Sequence, residues 1–433
     1  MTSQTTLPPR ARGMRAPMPL QALRYLRDPD AFFTAAHDRY GDVFAIRLLG
    51  ESWTVLAHPE ATREVFAYGA TDLNSGEPNH VLRPVIGTKN LLLMDGDEHI
   101  HRRRMVLPSF HGERMRAYET VIRETAAEEI ADWPLGVPTA TLPRMESLTF
   151  SAILRCVFGL DRQAHLGTLG TALLQMFSWV TAPRRLLVFF LLGPERLMRL
   201  PDFRRQMQTI DREIYAEIER RRNAEDLQER QDILSLLIQT HDEDGENLSN
   251  TDLRDELTTL LLAGYQNTAA TLAWATHELA RDQASQERLA SEPDTFADAV
   301  IKETLRLHPP VPLVVRRLRR PLTIAGHDMP AGTNLCPCAL LVHRRADIYP
   351  DPLTFQPERW VNKRPTTGEW FPFGGSVRRC VGAAFAQFEA RIALEEITRS
   401  LHLSTTRTKP EKSRARAVVL TPTHGAEIIA TRR

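Results

Sequence analysis

One cysteine of this chain stands in a sequence context that suits a metal ligand. Cys380 follows the segment 370–379, where aromatic, proline and glycine residues favour a loop. The alanine-rich segment that begins at Ala383 predicts a helix of about four turns. The cysteine therefore lies at or near a helix N-terminus, where the helix dipole and the neighbouring Arg378 and Arg379 favour an anion. Such surroundings lower the pKa of a thiol and supply a thiolate to a soft metal ion. An inert buried cysteine is the alternative, and the Phe, Gly and Arg residues around Cys380 disfavour it.

A second polar cluster lies in a long predicted helix. Ser249 to Asp252 have the composition of a helix N-terminus, and the helical pattern continues to about Arg281. Near its middle, the amides of Gln266 and Asn267 can donate and accept hydrogen bonds but do not ionise near neutral pH. They can hold water without being the proton source. The alternative interpretation is that they are simply polar residues at a tolerated kink.

Two further pairs place charged groups on one helix face. His99 and Arg103 are four residues apart on a helix predicted to begin near Asp95, and Glu303 and Arg306 are three apart on another. Taken alone, neither pair is specific, because a basic run such as 102–104 is usually a solvated surface.

Composition excludes several classes of function. The chain has 433 residues with Lys+Arg 55, Asp+Glu 54 and a formal net charge of +1, so no basic field indicates nucleic-acid binding. Its four cysteines are too few for a disulfide framework and indicate a reducing, cytoplasmic location; Cys336 and Cys338 are interpreted as structural.

Residues 1–19 are polar, basic and proline-rich, and show no membrane anchor. We predict a flexible segment over 1–19 and a single domain over 20–433.

The loop before Cys380 resembles the haem-binding loop of cytochromes P450, whose pattern is Phe-Gly-x-Gly-x-Arg-x-Cys-x-Gly. Phe373, Gly374, Arg378, Cys380 and Gly382 match this pattern in register. The resemblance implies that Cys380 is the thiolate ligand of the iron of haem b. It also implies that Phe373 packs beside the cysteine and that Arg378 meets a haem propionate.

One position of the loop differs from the family pattern. Ser376 stands where the second glycine is usual, and Gly375 next to it is expected to supply the backbone freedom. Elsewhere, the spacing of His99 and Arg103 resembles the family motif that binds haem propionates, and Arg316 is implied to bind a propionate as well. The arginines beside Arg103 are expected to be available to an acidic redox partner.

The long helix resembles the family's oxygen-binding helix, whose motif is Ala/Gly-Gly-x-Asp/Glu-Thr-Thr. Here Gln266 replaces the acid, Asn267 occupies the position of the catalytic threonine, and Thr268 matches the second threonine. Gly264 is expected to leave room against the haem and to mark a helix distortion. We therefore predict a catalytic group of Gly264, Gln266, Asn267 and Thr268. Its protons would come through a water chain or a substrate hydroxyl, or through Thr268 if a local π-bulge turns it inward.

The segment Phe355 to Trp360 resembles the family's Pro-Glu-Arg-Phe/Trp segment. The resemblance implies that Arg359 closes a network with Glu303 and Arg306 under the haem. We interpret this network as a structural lock without a catalytic role.

The resemblance covers roughly residues 20–429 and implies the P450 fold. This fold is mainly α with a smaller β-rich lobe, and the haem lies between the long central helix and the cysteine-loop helix. The implied function is monooxygenation, in which one oxygen atom from O2 enters a hydrophobic small molecule such as a terpene, fatty acid, steroid or polyketide. A ferredoxin or flavodoxin with its NAD(P)H reductase would supply electrons to a monomeric enzyme. Peroxide-driven or rearrangement chemistry, and a haem protein without turnover, are the alternatives.

Apolar residues near these motifs are the candidates for a substrate pocket. The run 186–192 is the most apolar, and it belongs either to the core or to the helices that cover the substrate channel. The candidate lining residues are Leu82, Leu92, Phe189, Leu261, Val314 and Val315.

Overall fold

Helices form most of the molecule and surround one long central helix. The computed structural model describes residues 12–48, 50–112, 114–159, 167–182, 185, 196, 198–243 and 245–433. In these residues the α-helices are α1 (Met18–Arg27), α2 (Pro29–Tyr40), α3 (Pro59–Ala67), α4 (Arg83–Ile86), α5 (Gly96–Val106), α6 (Arg114–Ala131), α7 (Thr141–Phe158), α8 (Thr168–Thr181), α9 (Pro201–Arg222), α10 (Ile233–Gln239), α11 (Asn250–Arg281), α12 (Gln283–Ser291), α13 (Pro293–Leu307), α14 (Ala339–Val342) and α15 (Ala383–Ser400). None of these helices has the length and apolarity needed to cross a bilayer.

The strands form a smaller lobe. They are β1 (Val43–Leu48), β2 (Glu51–Leu56), β3 (Leu73–Asn74), β4 (Pro138–Ala140), β5 (Arg316–Leu318), β6 (Leu322–Ile324), β7 (His327–Met329), β8 (Asn334–Pro337), β9 (Leu401–Ser404), β10 (Ser413–Arg416), β11 (Val419–Pro422) and β12 (Glu427–Arg432). The largest sheet has the order β1-β2-β8-β5-β3, in which β2 pairs with β8 in parallel and the other neighbours are antiparallel. A three-stranded sheet has the order β4-β12-β9, and β6-β7 and β10-β11 form hairpins. The predicted mainly α architecture with a β-rich lobe is confirmed.

The central helix α11 begins as the sequence predicts. The Ser249 hydroxyl accepts a hydrogen bond from the Asp252 N–H at 3.1 Å, and the Asp252 carboxylate accepts one from the Ser249 N–H at 3.1 Å. This reciprocal pair is a capping box, which satisfies two N–H groups that have no partner within a helix. The helix then continues without interruption to Arg281.

Helix α7 packs antiparallel along α11. Thr149 of α7 donates to the Tyr265 carbonyl at 3.0 Å, and the hydroxyls of Thr141 and Thr276 lie 3.0 Å apart. Because the residue nearer the start of α7 contacts the residue nearer the end of α11, the two helices run in opposite directions. The contact helps to fix the segment of α11 that carries the predicted catalytic group.

The N-terminal residues that the structure describes are attached to the β lobe. The Met14 N–H donates to the Ala45 carbonyl at 3.0 Å, and α1 begins at Met18. The predicted boundary after residue 19 therefore falls within a helix, and residues 1–11 lie outside the described part of the chain.

Candidate functional site

The Cys380 thiol lies where the loop joins α15, three residues before the helix begins at Ala383. The Cys380 N–H donates to the Phe373 carbonyl at 2.9 Å, which folds the loop back on itself. Gly374 supports this fold with a φ of 69°, a conformation that glycine adopts at little cost. A backbone hydrogen bond at Gly382, the residue before α15, favours the thiolate of Cys380.

The pKa of Cys380 differs from the prediction. Burial in the protein raises it above the ordinary value, and the Gly382 hydrogen bond and the charges of Arg103 and Arg379 oppose this rise only in part. The prediction of a lowered thiol pKa is therefore wrong for the protein alone, because desolvation outweighs the helix N-terminus and the arginines. Cys380 is nevertheless exposed.

The loop also differs from the prediction at Gly375. Ser376 itself adopts the left-handed conformation, with a φ of 60°, whereas Gly375 is extended with a φ of −155°. A Cβ atom at Gly375 would overlap the ring of Phe66. The glycine is needed for this close approach to α3, and the serine takes the unusual backbone conformation by itself.

Two guanidinium groups lie beside the cysteine loop, that of Arg316 buried and that of Arg378 partly buried. Arg378 donates to Asp95 at 2.5 Å and to the Leu91 carbonyl at 3.1 Å. Arg316 donates to the carbonyls of Val315 at 2.7 Å and Gly375 at 3.3 Å. Burial lowers the pKa of each arginine to about 10. Arg316 therefore carries a buried charge that has no carboxylate partner in the described part of the chain.

His99 and Arg103 share the inner face of α5, as their spacing predicts. His99 is 2 % exposed, and its Nδ1 atom has no hydrogen-bond partner among the described residues. Burial, together with Arg378, Arg103 and Arg316, lowers the pKa of His99 to about 3. Burial lowers the pKa of Arg103 as well, and the nearby Cys380 opposes this shift. The structure therefore brings all four predicted propionate ligands into one electrostatic neighbourhood next to the thiol.

The neighbours of Arg103 have partners of their own. Arg102 is buried and pairs with Asp252 at 2.6 Å and with Glu256 at 3.7 Å, while Arg104 pairs with Glu243 at 2.6 Å on the surface. The expectation that both arginines are available to a redox partner is wrong for Arg102, because its guanidinium is used to hold α5 against α11.

These groups suit a cofactor that carries both a metal ion and anionic groups. The thiol of Cys380 supplies a soft ligand. Three guanidinium groups, those of Arg103, Arg316 and Arg378, surround the same neighbourhood, and Asp95 is the carboxylate that pairs with Arg378. A buried excess of positive charge favours an anionic ligand, and carboxylates match the planar arginine fork. The residues therefore fit an iron porphyrin with propionate groups.

The middle of α11 has an accessible patch where the helix is otherwise mostly buried. Ala263 is exposed between buried Leu261 and buried Tyr265. One turn later, Asn267 donates from its amide nitrogen to the Ala263 carbonyl at 3.0 Å, and its Oδ1 atom has no partner among the described residues. Ala263 and Asn267 thus share one face of the helix, which is exposed at Ala263 and partly buried at Asn267.

Gln266 lies on another face of α11. Its amide donates to the Tyr265 hydroxyl at 2.8 Å, and Tyr265 packs on Phe150 of α7 and Phe177 of α8, with ring centroids 5.5 and 4.9 Å away. The amide of Gln266 is therefore hydrogen-bonded on the side of α11 that packs against α7 and α8. Asn267 lies on a different face of the helix.

Two predictions for the same helix are wrong. A Cβ atom at Gly264 would lie 3.1 Å from Ile153 of α7, so the missing side chain allows close helix packing and does not leave room for the cofactor. The α-helix is also continuous through this position, so the expected distortion does not take the form of a break or a π-turn in α11. Thr268 is 3 % exposed and donates to the Gly264 carbonyl at 3.0 Å. This hydrogen bond holds Thr268 away from the Asn267 face.

Sequence reasoning missed the acids that anchor the loop before α5. Asp255 accepts hydrogen bonds from the backbone N–H groups of Thr88 and Lys89, each at 2.8 Å, and Glu256 accepts from that of Leu91 at 2.8 Å. Asp95 also does not cap α5, because its carboxylate bonds the backbone at residues 75–77 and Arg378. In the sequence, a run of acids at the start of a helix indicates that such anchoring groups exist. It does not show which distant backbone N–H groups donate to the carboxylates.

The predicted network of Glu303, Arg306 and Arg359 is present. Arg306 and Glu303 form two hydrogen bonds of 2.8 Å with both side chains fully buried, and Arg359 lies 3.4 Å from Glu303. Trp360 adds a hydrogen bond of 2.9 Å from its indole N–H to Glu303. Glu303 therefore has three side-chain partners, Arg306, Arg359 and Trp360.

The candidate substrate-lining residues have different surroundings. Leu82, Leu92, Val314 and Val315 are partly buried, whereas Leu261 is fully buried in the helical core. Phe189 and the run 186–192 lie outside the described residues. A cleft of about 620 Å³ on the surface of the β lobe contains none of the predicted site residues.

Comparisons with known proteins show which family the chain belongs to. The family model described as "Cytochrome P450" matches residues 11–430. The chain is 39 % identical to "Putative cytochrome P450 135B1" of Mycobacterium bovis, over 99 % of this chain and 92 % of the relative, and 35 % identical to "Putative cytochrome P450 135A1" of Mycobacterium tuberculosis, over 99 % and 96 %. Among solved structures, "Retinoic acid bound cyanobacterial CYP120A1" superimposes with a TM-score of 0.86 at 20 % identity, covering 99 % of this chain and 100 % of that one. "Crystal structure of cytochrome P450DA heme domain" gives a TM-score of 0.84 at 19 % identity, covering 99 % and 98 %. The chain therefore belongs to the cytochrome P450 family and is a bacterial-type, haem b-dependent monooxygenase.

Proposed function

We propose that this enzyme inserts one oxygen atom from O2 into a hydrophobic small molecule of the terpene, fatty acid, steroid or polyketide class. The observation that carries the proposal is the exposed Cys380 thiol beside the buried guanidinium group of Arg316 and the partly buried ones of Arg103 and Arg378. Haem b, when bound, supplies the iron at which O2 is activated. We assign Cys380 as the iron ligand, and binding to the metal favours the thiolate that burial alone disfavours.

The remaining residues hold the cofactor and organise the oxygen side. Arg103, Arg316 and Arg378 bind the propionates, and neutral His99 uses its unpartnered Nδ1 side for a further hydrogen bond. The Asn267 amide positions water with its Oδ1 atom and cannot itself supply a proton.

The partners and location belong to the same proposal. Electrons come from a separate ferredoxin or flavodoxin with its NAD(P)H reductase, and a single domain over residues 20–433 acts as a monomer. The four cysteines, 156, 336, 338 and 380, are all free thiols, which supports a cytoplasmic location.

Peroxide-driven oxidation is the second candidate. It is favoured by one observation: the accessible face of α11 presents the amide of Asn267, and the Gln266 amide is bonded to Tyr265. Neither amide ionises near neutral pH, so the usual acid is missing from the motif.

Turnover under three conditions tests the proposal. Hydrophobic compounds are first screened for a shift of the Soret band on binding. A compound that binds is then incubated with NAD(P)H, ferredoxin and reductase, with hydrogen peroxide, or with neither. We expect oxygenated product with the ferredoxin system. Product with peroxide only would favour the second candidate, and rearranged product without any oxidant would contradict both.

A further inference from the structure

The outer face of α1 combines leucine and arginine side chains. Leu20 and Leu23 are 39 % and 60 % exposed, and Arg24 and Arg27 are exposed as well. These positions follow one another at the spacing of a single helix face, so the four side chains lie side by side. The buried residues on the opposite face are Gln21, Ala22 and Tyr25. The leucines therefore remain in solvent although the helix is packed on its other side.

Gln21 brings two further arginines next to this face. Its amide donates to the Met14 carbonyl at 3.2 Å and to the Ala16 carbonyl at 2.7 Å. Its Oε1 atom accepts from the Arg47 N–H of β1 at 2.9 Å. Arg15 lies between the two bonded carbonyls in the chain, and both Arg15 and Arg47 are exposed. One buried amide thus joins α1 to two segments that each carry an exposed guanidinium group.

The arginines of this surface carry unpaired charge. In the part of the chain that the structure describes, no carboxylate forms an ion pair with any of the four arginines Arg15, Arg24, Arg27 and Arg47. Asp28, the acid at the end of α1, accepts from the Ala31 N–H at 3.0 Å and pairs with Lys412 at 3.0 Å. The surface is therefore positively charged and favours an anionic partner.

The leucines indicate which kind of anionic partner this surface fits. Arginine matches the geometry of phosphate groups, and its long side chain can reach a headgroup from a helix that lies at the bilayer boundary. Leucine beside arginine is typical of helices that lie on a bilayer, whereas leucine is under-represented among the residues that anchor protein interfaces. The helix dipole alone would account for Arg24 and Arg27 in the last turn. It does not account for the exposed leucines or for Arg15 and Arg47.

We propose that the outer face of α1, with Arg15 and Arg47, is a peripheral docking surface for an anionic lipid bilayer. Leu20 and Leu23 enter the boundary between headgroups and acyl chains, and the arginines contact lipid phosphates. Docking places the enzyme where hydrophobic small molecules concentrate. Only this last point rests on the proposed function, because docking itself requires no turnover.

Cosedimentation with lipid vesicles tests the docking. Holoenzyme is mixed at low salt with vesicles of phosphatidylcholine alone, or of equal parts phosphatidylcholine and phosphatidylglycerol. Wild type should bind the anionic vesicles only, and high salt should release it by screening the charges. Arg24→Gln/Arg27→Gln should weaken binding about 25-fold, since each arginine near an anionic surface contributes roughly a fivefold factor. The matched control Arg104→Gln/Arg399→Gln removes two exposed arginines that have acidic partners, and it should bind like wild type.

Fluorescence quenching tests the insertion of the leucines. Leu23→Trp places an indole on the docking surface, and Leu353→Trp places one at a 73 % exposed position outside it. Lipids brominated in their acyl chains should quench Leu23→Trp more strongly than wild type. The quenching of Leu353→Trp should stay at the wild-type level.

Each of these measurements can overturn the proposal. Wild type that does not bind anionic vesicles would contradict it, as would equal binding by wild type and Arg24→Gln/Arg27→Gln. Wild-type quenching of Leu23→Trp would show that the leucines stay in water. If wild type does not bind vesicles and ferredoxin reduces Arg24→Gln/Arg27→Gln more slowly, the surface binds an acidic protein and the proposal is wrong. None of these measurements follows product, so their failure is distinct from failure of the proposed function.

Discussion

At the scale of single residues, we propose that the oxygen side of this enzyme depends on an amide. Asn267 lies on the accessible face of α11, and its Oδ1 atom has no protein partner in the described residues. An amide can orient water but does not relay a proton as a hydroxyl does. Proton delivery should therefore be sensitive to the identity of this side chain.

Substitutions at Asn267 should change coupling without changing cofactor binding. Asn267→Ala removes the group that holds water, so a larger share of the NAD(P)H electrons should be lost as hydrogen peroxide. Asn267→Thr restores a hydroxyl and should lower that loss. The measurement is product and peroxide formed per NAD(P)H consumed, with Gln266→Ala as the control, because Gln266 lies about 100° further round the helix and its amide is bonded to Tyr265. Equal coupling in wild type and both Asn267 variants would show that this position does not control proton delivery.

The arginines near the thiol should hold the cofactor. Removing one leaves a partly buried propionate less well paired, at a cost on the order of 1–3 kcal/mol. The Arg103→Ala/Arg378→Ala double variant should therefore lose haem during gel filtration, as followed by the ratio of Soret to protein absorbance. Arg104→Ala is the matched control, because Arg104 is exposed and pairs with Glu243 on the surface. Haem retention equal to wild type in the double variant would contradict the assignment of these arginines.

At the scale of elements, the buried acids at the start of α11 tie three segments together. Glu256 accepts from the Leu91 N–H at 2.8 Å, lies 3.7 Å from Arg102 of α5, and is 1 % exposed. Burial is the largest influence on this carboxyl and raises its pKa to about 8, although Arg102 and the Leu91 hydrogen bond oppose the shift. The loop before α5 is therefore attached to a group that is largely neutral at pH 7.

This raised pKa predicts how stability depends on pH. The folded state keeps the proton on Glu256 up to about pH 8, whereas the unfolded state releases it near pH 4.5. Because the folded state binds more protons between these values, the contribution of Glu256 to the free energy of unfolding falls as pH rises from 4.5 to 8. Urea unfolding at several pH values should show a shallower fall for Glu256→Gln than for wild type. Identical pH profiles for the two proteins would contradict the raised pKa.

At the scale of the whole molecule, much of the fold can be predicted from the sequence. The capping pattern at Ser249 and the spacing of His99 and Arg103 are local features, and the structure agrees with them. Desolvation cannot be read from neighbours in sequence, so the raised pKa of Cys380 could not be predicted.

Long-range contacts explain the other differences between sequence and structure. Gly264 faces Ile153 of α7, and Gly375 faces Phe66 of α3. In each pair the partner is more than a hundred residues away in the sequence. Sequence analysis therefore assigned the glycines to other causes, room for the haem at Gly264 and backbone freedom at Gly375.

The central claim is that Cys380 provides the thiolate ligand of the haem iron. The most direct measurement is the absorption spectrum of the reduced protein with carbon monoxide, in which thiolate-ligated haem gives a red-shifted Soret band. Cys336→Ala and Cys338→Ala are matched controls, because both thiols are buried in the β lobe. We predict that wild type and both controls show the red-shifted band and that Cys380→Ala lacks it. A Cys380→Ala protein that keeps the band would contradict the assignment.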